Sequence, residues 1–334
     1  MAEETFASLG RVGAIAELYK GTPYKPFESS WFETGGKCYV GAYSRTFLEG
    51  IDFDLTYFPL KHLGYKCVVA VTGELYAEFS SPRTLDVRLC ISAKLDFAQV
   101  KEIWEGITAA SREYGYKRVT LDLSPSANGL AISVSATGET SLLTGKRRPA
   151  AKSMDLICVS DNLGAAYFGQ AILEREKKKF DKTKDDSRQP VLDDYRNFIG
   201  AYLKPSIPSD IVNQMEEAGI IPSFGYFLTR GLSDAVKRLV RDSGLGAKIY
   251  VERIPFAGRT FDIGKELDID PVSAALNGGD DFRLLFTIPI GSHDKFRHDF
   301  QTFDIIGHLA KPDVGAVLVT PDGVELPMRA QGWE

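Results

Sequence analysis

The sequence is short of the residues that usually make a function easy to read. It has four cysteines in 334 residues, Cys38, Cys67, Cys90 and Cys158, with no Cys-x-x-Cys spacing. That argues against a disulfide framework and against a thiolate zinc site. His62, His293, His298 and His308 are equally scattered and follow no ligand spacing. Basic charge is not in excess: 40 Lys and Arg face 45 Asp and Glu, for a net charge of −5, so there is no electrostatic footprint for nucleic acid. No stretch reaches the roughly 18 apolar residues of a membrane span. The first ten residues carry Glu3 and Glu4 and lack the basic start and apolar stretch of a secretory leader, so cytoplasmic residence is the expectation. A phosphate-binding P-loop is missing too. The nearest look-alike, Gly138 followed by Gly145-Lys146, has six residues between its glycines in place of four, and Arg147 stands where Ser or Thr must hold magnesium.

What is there is an ordinary globular composition, 44% hydrophobic and 25% charged, on a chain long enough for two cores. Strand-like alternation and helix-like repeats follow one another, which predicts an α+β protein. Thr84 to Ile91 alternates, with Leu85, Val87, Leu89 and Ile91 on one face. Phe97 to Ala110 repeats at helical spacing behind Asp96 and Gln99, an N-cap pair, with Gly115 as a stop. A long helix is expected from about His62 to Phe79, and strands at Leu130–Ala136, Asp155–Ser160, Lys248–Glu252 and Phe282–Ile288, the last apolar enough to be buried on both faces. The polar, basic stretch Thr140–Lys152 marks a boundary between a domain of residues 1–145 and one of 150–334. The mixed charge run through Lys177, Lys178 and Lys179 reads as solvated surface.

Two acidic segments stand out. Asn277-Gly278-Gly279-Asp280-Asp281 is either a hairpin turn or a flexible loop presenting two carboxylates to a cation or substrate. Glu49, Asp52 and Asp54 supply three carboxylates within six residues, fit for metal or proton transfer or simply facing water.

Taken in order, these segments resemble the thiamine-monophosphate kinases, of the superfamily that includes aminoimidazole ribonucleotide synthetase. The likeness rests on Ser8-Leu9-Gly10, on Leu48-Glu49-Gly50-Ile51-Asp52-Phe53, on Asp155 to Ser160 with Leu163-Gly164, on Leu203-Lys204-Pro205, and on Gln331-Gly332-Trp333. It is most specific at Ala275 to Thr287, which is similar to the family's Gly-Gly-Glu-Asp-Tyr-Glu-Leu-Leu-Phe-Thr. The resemblance implies a two-domain synthetase-like α+β fold, a first sheet that closes a barrel across a homodimer, and transfer of the ATP γ-phosphoryl group to thiamine monophosphate on magnesium ions held by aspartates. Nucleic acid and membrane are not among the expected partners.

The chain departs from the family at those aspartates. The early Gly-Asp-Asp has no counterpart in Phe27 to Thr34, and the Thr-Asp ahead of Leu48 is Ser44-Arg45. The helical Ser-Asp is Gly73-Glu74, Gly-Gly-Asp-Thr is Thr120-Leu121-Asp122-Leu123, and Asp-Ile-Ser-Asp-Gly-Leu is Phe227-Leu228-Thr229-Arg230-Gly231-Leu232. Residual metal ligands would be Glu74 and Asp122. Nucleotide or phosphate contacts would come from Arg45, Arg148, Lys152, Arg230 and Gly231, and substrate contacts from Asp52, Asp280, Asp281 and Trp333. Two expectations follow. One is a kinase-like protein with impaired or lost catalysis that binds a nucleotide, a thiamine phosphate or a partner. The other is a working kinase on rearranged ligands drawn from Glu49, Asp52, Glu74, Asp122, Asp280 and Asp281. The related ring-closing synthetase fits the Ala275–Thr287 segment less well.

Overall fold

The computed structural model describes residues 6–23, 32–36, 38–183 and 192–333. The segment 24–31, where the family's early acidic motif was sought, lies outside them.

A helix α1 (Phe6–Tyr19), broken at Gly10 where φ is +63°, precedes a five-stranded sheet. Its strands are β1 (Phe32–Thr34), β2 (Cys38–Leu48), β3 (Ser81–Ser92), β4 (Arg118–Ser126) and β5 (Ala131–Ser141), in the order β1-β2-β5-β3-β4. Helix α2 (Leu60–Ala77) leads into β3, and α3 (Phe97–Glu113) makes the crossover that lets β3 and β4 run parallel. The expected capping box is present, Asp96 accepting from Gln99 N while the Gln99 side chain accepts from Asp96 N. Phe97 does not join the apolar face and is exposed.

After α4 (Leu142–Arg147) comes a seven-stranded sheet of β6 (Leu156–Ser160), β7 (Phe224–Phe227), β8 (Gly246–Tyr250), β9 (Leu284–Ile288), β10 (Phe303–Ala310), β11 (Ala316–Val319) and β12 (Glu325–Pro327). The order is β12-β11-β8-β10-β6-β9-β7. Between these strands run α5 (Ala165–Thr183), α6 (Arg196–Leu203), α7 (Ile211–Glu217), α8 (Leu232–Ser243), α9 (Thr260–Leu267), α10 (Pro271–Asn277) and α11 (His293–Asp299). β9 lies between β6 and β7 and is buried at all five positions, as its continuous apolar run predicts. The strand expected to run to Glu252 stops at Tyr250, and Val251–Arg253 turns into a 3₁₀ helix.

Helix α2 organises the molecule. It packs on β2 and β5 on one side and on β7 and β9 on the other, so it is apolar nearly all round and almost wholly buried. One continuous core runs through it from the first sheet to the second. Its backbone touches α3 directly: a Cβ at Gly64 would lie 2.1 Å from Ile103 O and one at Gly106 1.9 Å from Lys61 O. Larger residues at either glycine would force the two helices apart.

Candidate functional site

Three turns meet beside the C-terminal end of β2. In the first, Gly50 at φ +81° reverses the chain after Leu48, and the acids that follow are spent on holding the reversal. Asp52 Oδ2 accepts Leu48 N at 2.8 Å, Glu49 Oε2 accepts Leu130 N at 2.6 Å, and Asp54 Oδ1 accepts Thr56 N at 2.8 Å. Asp54 also pairs with Lys177 of α5, so that lysine is not a free surface charge.

The second turn, Gly278 to Asp281, is not a hairpin. It joins α10 to β9 and is zipped to the third turn: Asp280 N donates to Thr229 O at 3.1 Å and Phe282 N to Leu228 O at 2.9 Å. The approach is close enough that a Cβ on Gly231, where φ is +89°, would lie 2.4 Å from Leu276 O. Asp280 takes a left-handed φ of +56° here, an uncommon choice for a residue with a side chain. The result is a cleft of about 480 Å³ lined by Arg11, Asp52, Arg230 and Asp280 together with backbone of Gly279 and Gly332.

Cations of the chain itself stand among these carboxylates. Arg45 Nη2 lies 3.4 Å from Asp280 Oδ1 and 3.7 Å from Asp52 Oδ1, its guanidinium 4.7 Å above the Phe47 ring. Lys66, fully buried on α2, donates to Asp280 Oδ2 at 2.9 Å and to Tyr202 O at 2.9 Å, with its ammonium 4.0 Å from the centre of the Tyr202 ring. Burial alone would raise the Asp280 carboxyl, but Lys66 and Arg45 together outweigh it and hold the group below the ordinary carboxylate range. Behind the cleft, buried Asp234 in the first turn of α8 accepts from Arg11 Nη2 at 2.7 Å and from Trp333 Nε1 at 2.8 Å, and pairs with Arg238 at 3.2 Å.

Of the residues singled out in the sequence, Asp52, Arg230 and Asp280 line one cleft, Arg45 pairs with two of them, and Gly231 lies in the adjoining turn. Trp333 backs it through Asp234. Arg148 is elsewhere, donating to Glu78 O at 2.7 Å at the end of α2, and Lys152 is exposed in the loop before β6. Asp122 is exposed on β4 and paired with Arg88 at 3.1 Å. Glu74, on α2, does not line the cleft; burial raises its carboxyl, and Arg238 first and then Arg45 oppose the rise.

Asp281 points away from the cleft. It is 4% exposed, its Oδ1 accepts Gly164 N at 2.9 Å ahead of α5, and its Oδ2 has no partner among the described residues. Burial pushes its carboxyl up to about 7. A carboxyl raised in the folded state contributes stability below its unfolded value and loses it as pH rises through the folded one. Asp281→Asn should therefore flatten the wild type's decline in urea-unfolding free energy between about pH 4 and pH 7. A variant with the same slope as wild type would show that Asp281 does not titrate there.

The donor set does not suit magnesium. Among the described residues no three His, Cys, Asp or Glu side chains converge on one point. A guanidinium occupies the space between Asp52 and Asp280, and magnesium needs several oxygen ligands close to octahedral. Phe227, where the resemblance expects an aspartate, is fully buried, and its ring fills the space over Gly73, where the resemblance expects a serine. The sequence reading missed Arg11, Lys66 and Asp234. Lys66 had a signal, a lone cation inside the apolar run of α2; Arg11 had none.

No family model matches the chain. The chain is 25% identical over 241 residues to the thiamine-monophosphate kinase of Aquifex aeolicus, covering 72% of this chain and 73% of that one. It is 26% identical over 272 residues to the thiamine-monophosphate kinase of Pyrococcus horikoshii, covering 81% and 78%. The solved structure of AaThiL complexed with AMPPCP and TMP matches with a TM-score of 0.79 at 21% identity over 99% of each chain. Matches of this length, together with the shared architecture, make the chain similar to the thiamine-monophosphate kinases in sequence and give it their fold.

Proposed function

We propose that this chain is a thiamine-monophosphate kinase-like protein that takes a phosphorylated small molecule, of the nucleotide or thiamine-phosphate class, into this cleft, with magnesium-dependent phosphoryl transfer lost or strongly reduced. The observation that carries the reading is Arg45 lying between Asp52 and Asp280. Phosphoryl transfer depends on divalent cations that bridge phosphate oxygens and neutralise developing charge. A guanidinium supplies charge and hydrogen bonds but no inner-sphere coordination. The alternative, a kinase on rearranged ligands, would have to draw on carboxylates already committed elsewhere. Glu49 and Asp52 hold backbone N–H groups, Asp122 is paired with Arg88, and Asp281 is turned away.

Support for the ligand class comes from AaThiL, which is complexed with AMPPCP and TMP. Titration calorimetry of the full chain with a non-hydrolysable ATP analogue and with thiamine monophosphate, in magnesium and in EDTA, tests it alongside a turnover assay. Binding in EDTA without formation of thiamine diphosphate is the expected result. Magnesium-dependent turnover would restore the kinase reading.

The reading includes a homodimer formed through the first sheet, with residues 1–145 acting as the dimerising domain and 150–334 completing the cleft. On β4, Leu121 and Leu123 are 41% and 52% exposed, an apolar strip that a second copy would cover. Leu121→Glu with Leu123→Glu should convert a dimer to a folded monomer in sedimentation velocity. A wild type that already sediments as a monomer would remove this part of the proposal.

A further inference from the structure

Every carboxylate around the cleft has a cation of the chain beside it, but the converse fails. Arg11 and Arg238 go to Asp234, and Arg45 and Lys66 go to Asp52 and Asp280. Arg230 lines the cleft, exposed, and has neither an ion pair nor a hydrogen bond among the described residues. Burial, followed by the proximity of Arg11 and Arg45, lowers the pKa of its guanidinium, as expected of a cation in surroundings that are already positive.

Unused donors collect in the same place. Seven buried side-chain polar atoms lack a hydrogen-bond partner among the described residues. Three of them can donate, have no acceptor beside them and sit at or just behind this cleft: Arg11 Nε, Arg45 Nη1 and Ser233 Oγ, whereas Arg238 Nε faces Asp234 Oδ2 at 3.2 Å. Buried donors without acceptors are rare in folded proteins, and a group of them implies an acceptor supplied from outside.

The backbone adds to this. Helix α8, 12 residues long, is N-capped by Gly231 and receives no side-chain cap. Its first turn holds Ser233, fully buried with its hydroxyl unpartnered. The dipole and first-turn N–H groups of such a helix start favour an anion, and the one carboxylate already in this turn, Asp234, is neutralised by Arg11 and Arg238. Gly231 and Gly279, both at positive φ, keep the adjoining wall free of side chains.

We propose that Arg11 and Arg230, with the uncapped first turn of α8, seat the phosphate of a phosphate monoester directly, with no metal ion between protein and phosphate. The proposal rests on the reading that the cleft takes a phosphorylated small molecule, and it assigns the side chains that hold the charged end. A tetrahedral dianion has more acceptor oxygens to share among two guanidiniums and a helix start than a planar carboxylate does. The cleft volume of about 480 Å³ leaves room for the organic part of such an ester beyond the phosphate.

The test is titration calorimetry of the full chain in EDTA with thiamine monophosphate and with inorganic phosphate as separate probes. Arg230→Gln should weaken thiamine monophosphate by about tenfold or more, the loss expected when a charge-assisted hydrogen bond is removed. Because Arg230 holds nothing else in place, its variant should keep the wild-type melting temperature. Arg11→Gln should weaken the same probe, and Arg11→Lys should recover part of the loss if charge is what matters. Arg297→Gln, an exposed arginine on α11 remote from the cleft, serves as the control and should change nothing. If wild type binds in EDTA and neither Arg230→Gln nor Arg11→Gln alters the affinity, this assignment falls while the functional reading stands. Should wild type bind neither probe, with or without magnesium, the functional reading falls and takes the assignment with it. Binding that appears only with magnesium overturns the direct, metal-free seat.

Discussion

Gly73→Ser should destabilise the protein by about 1–3 kcal/mol or more in urea unfolding, the usual cost of overpacking a well-filled core. A Cβ at Gly73 would lie 2.2 Å from Phe227 Cζ, with two further ring carbons at 2.3 and 2.4 Å. The ring has nowhere to go. Phe227 is fully buried and meets Phe282 edge to face at 5.5 Å. Phe227→Ala alone should cost about 3–5 kcal/mol through the cavity it leaves. The two together should cost less than their sum, because a serine at 73 would occupy part of that cavity and the alanine would relieve the clash. Purely additive losses would refute the idea that these positions form one packing unit. The point bears on function, since the resemblance places a serine at 73 and an aspartate at 227. The missing side chain at one position and the aromatic ring at the other fit each other, and together they fill the space between α2 and β7 with core. Putting back a single family residue would therefore produce a clash before it produced a metal ligand.

The periodic elements were legible in the sequence because each is decided locally. The capping box at Asp96 and Gln99, the alternation along β3 and the apolar run of β9 depend only on near neighbours in the chain, and the structure has all three. The loss of acidic residues was legible for the same reason, as substitutions within a recognisable motif. What those positions had become was not. Arg45 meets Asp280 across 235 positions of sequence and Arg11 meets Asp234 across 223. No spacing rule brings such pairs together. Asp281 illustrates the opposite error. Next to Asp280 in the chain it looked like a partner at the same site, but the left-handed backbone at Asp280 and Phe282 turns the two carboxylates to different sides of the strand, one toward Arg45 and the other toward Gly164.

Lys66→Met should cost about 3–5 kcal/mol, the range seen when one member of a buried ion pair is removed. The ammonium is fully buried, with Phe58, Tyr202 and Phe282 around it, and it satisfies both Asp280 Oδ2 and the Tyr202 carbonyl. Burial pushes its pKa down, and Asp280 opposes that shift. Without Lys66, Asp280 keeps only Arg45 at 3.4 Å, a guanidinium already divided between two carboxylates. Removing the carboxylate as well should reverse much of the loss, so Lys66→Met with Asp280→Asn should be more stable than Lys66→Met alone. The sign with pH follows from Asp280. Its folded pKa is depressed, so its contribution is present above the unfolded value and is lost as pH falls through the folded one. The stability gap between wild type and Lys66→Met should accordingly be widest near neutrality and narrow as the solution is acidified below the ordinary carboxylate range. A gap that stays constant down to that pH would mean that Lys66 stabilises the fold by filling space in its aromatic box and not by pairing with Asp280. In that case Arg45 alone would be the cation that holds the acidic wall of the cleft, and Arg45→Gln would be the variant that carries the pH dependence.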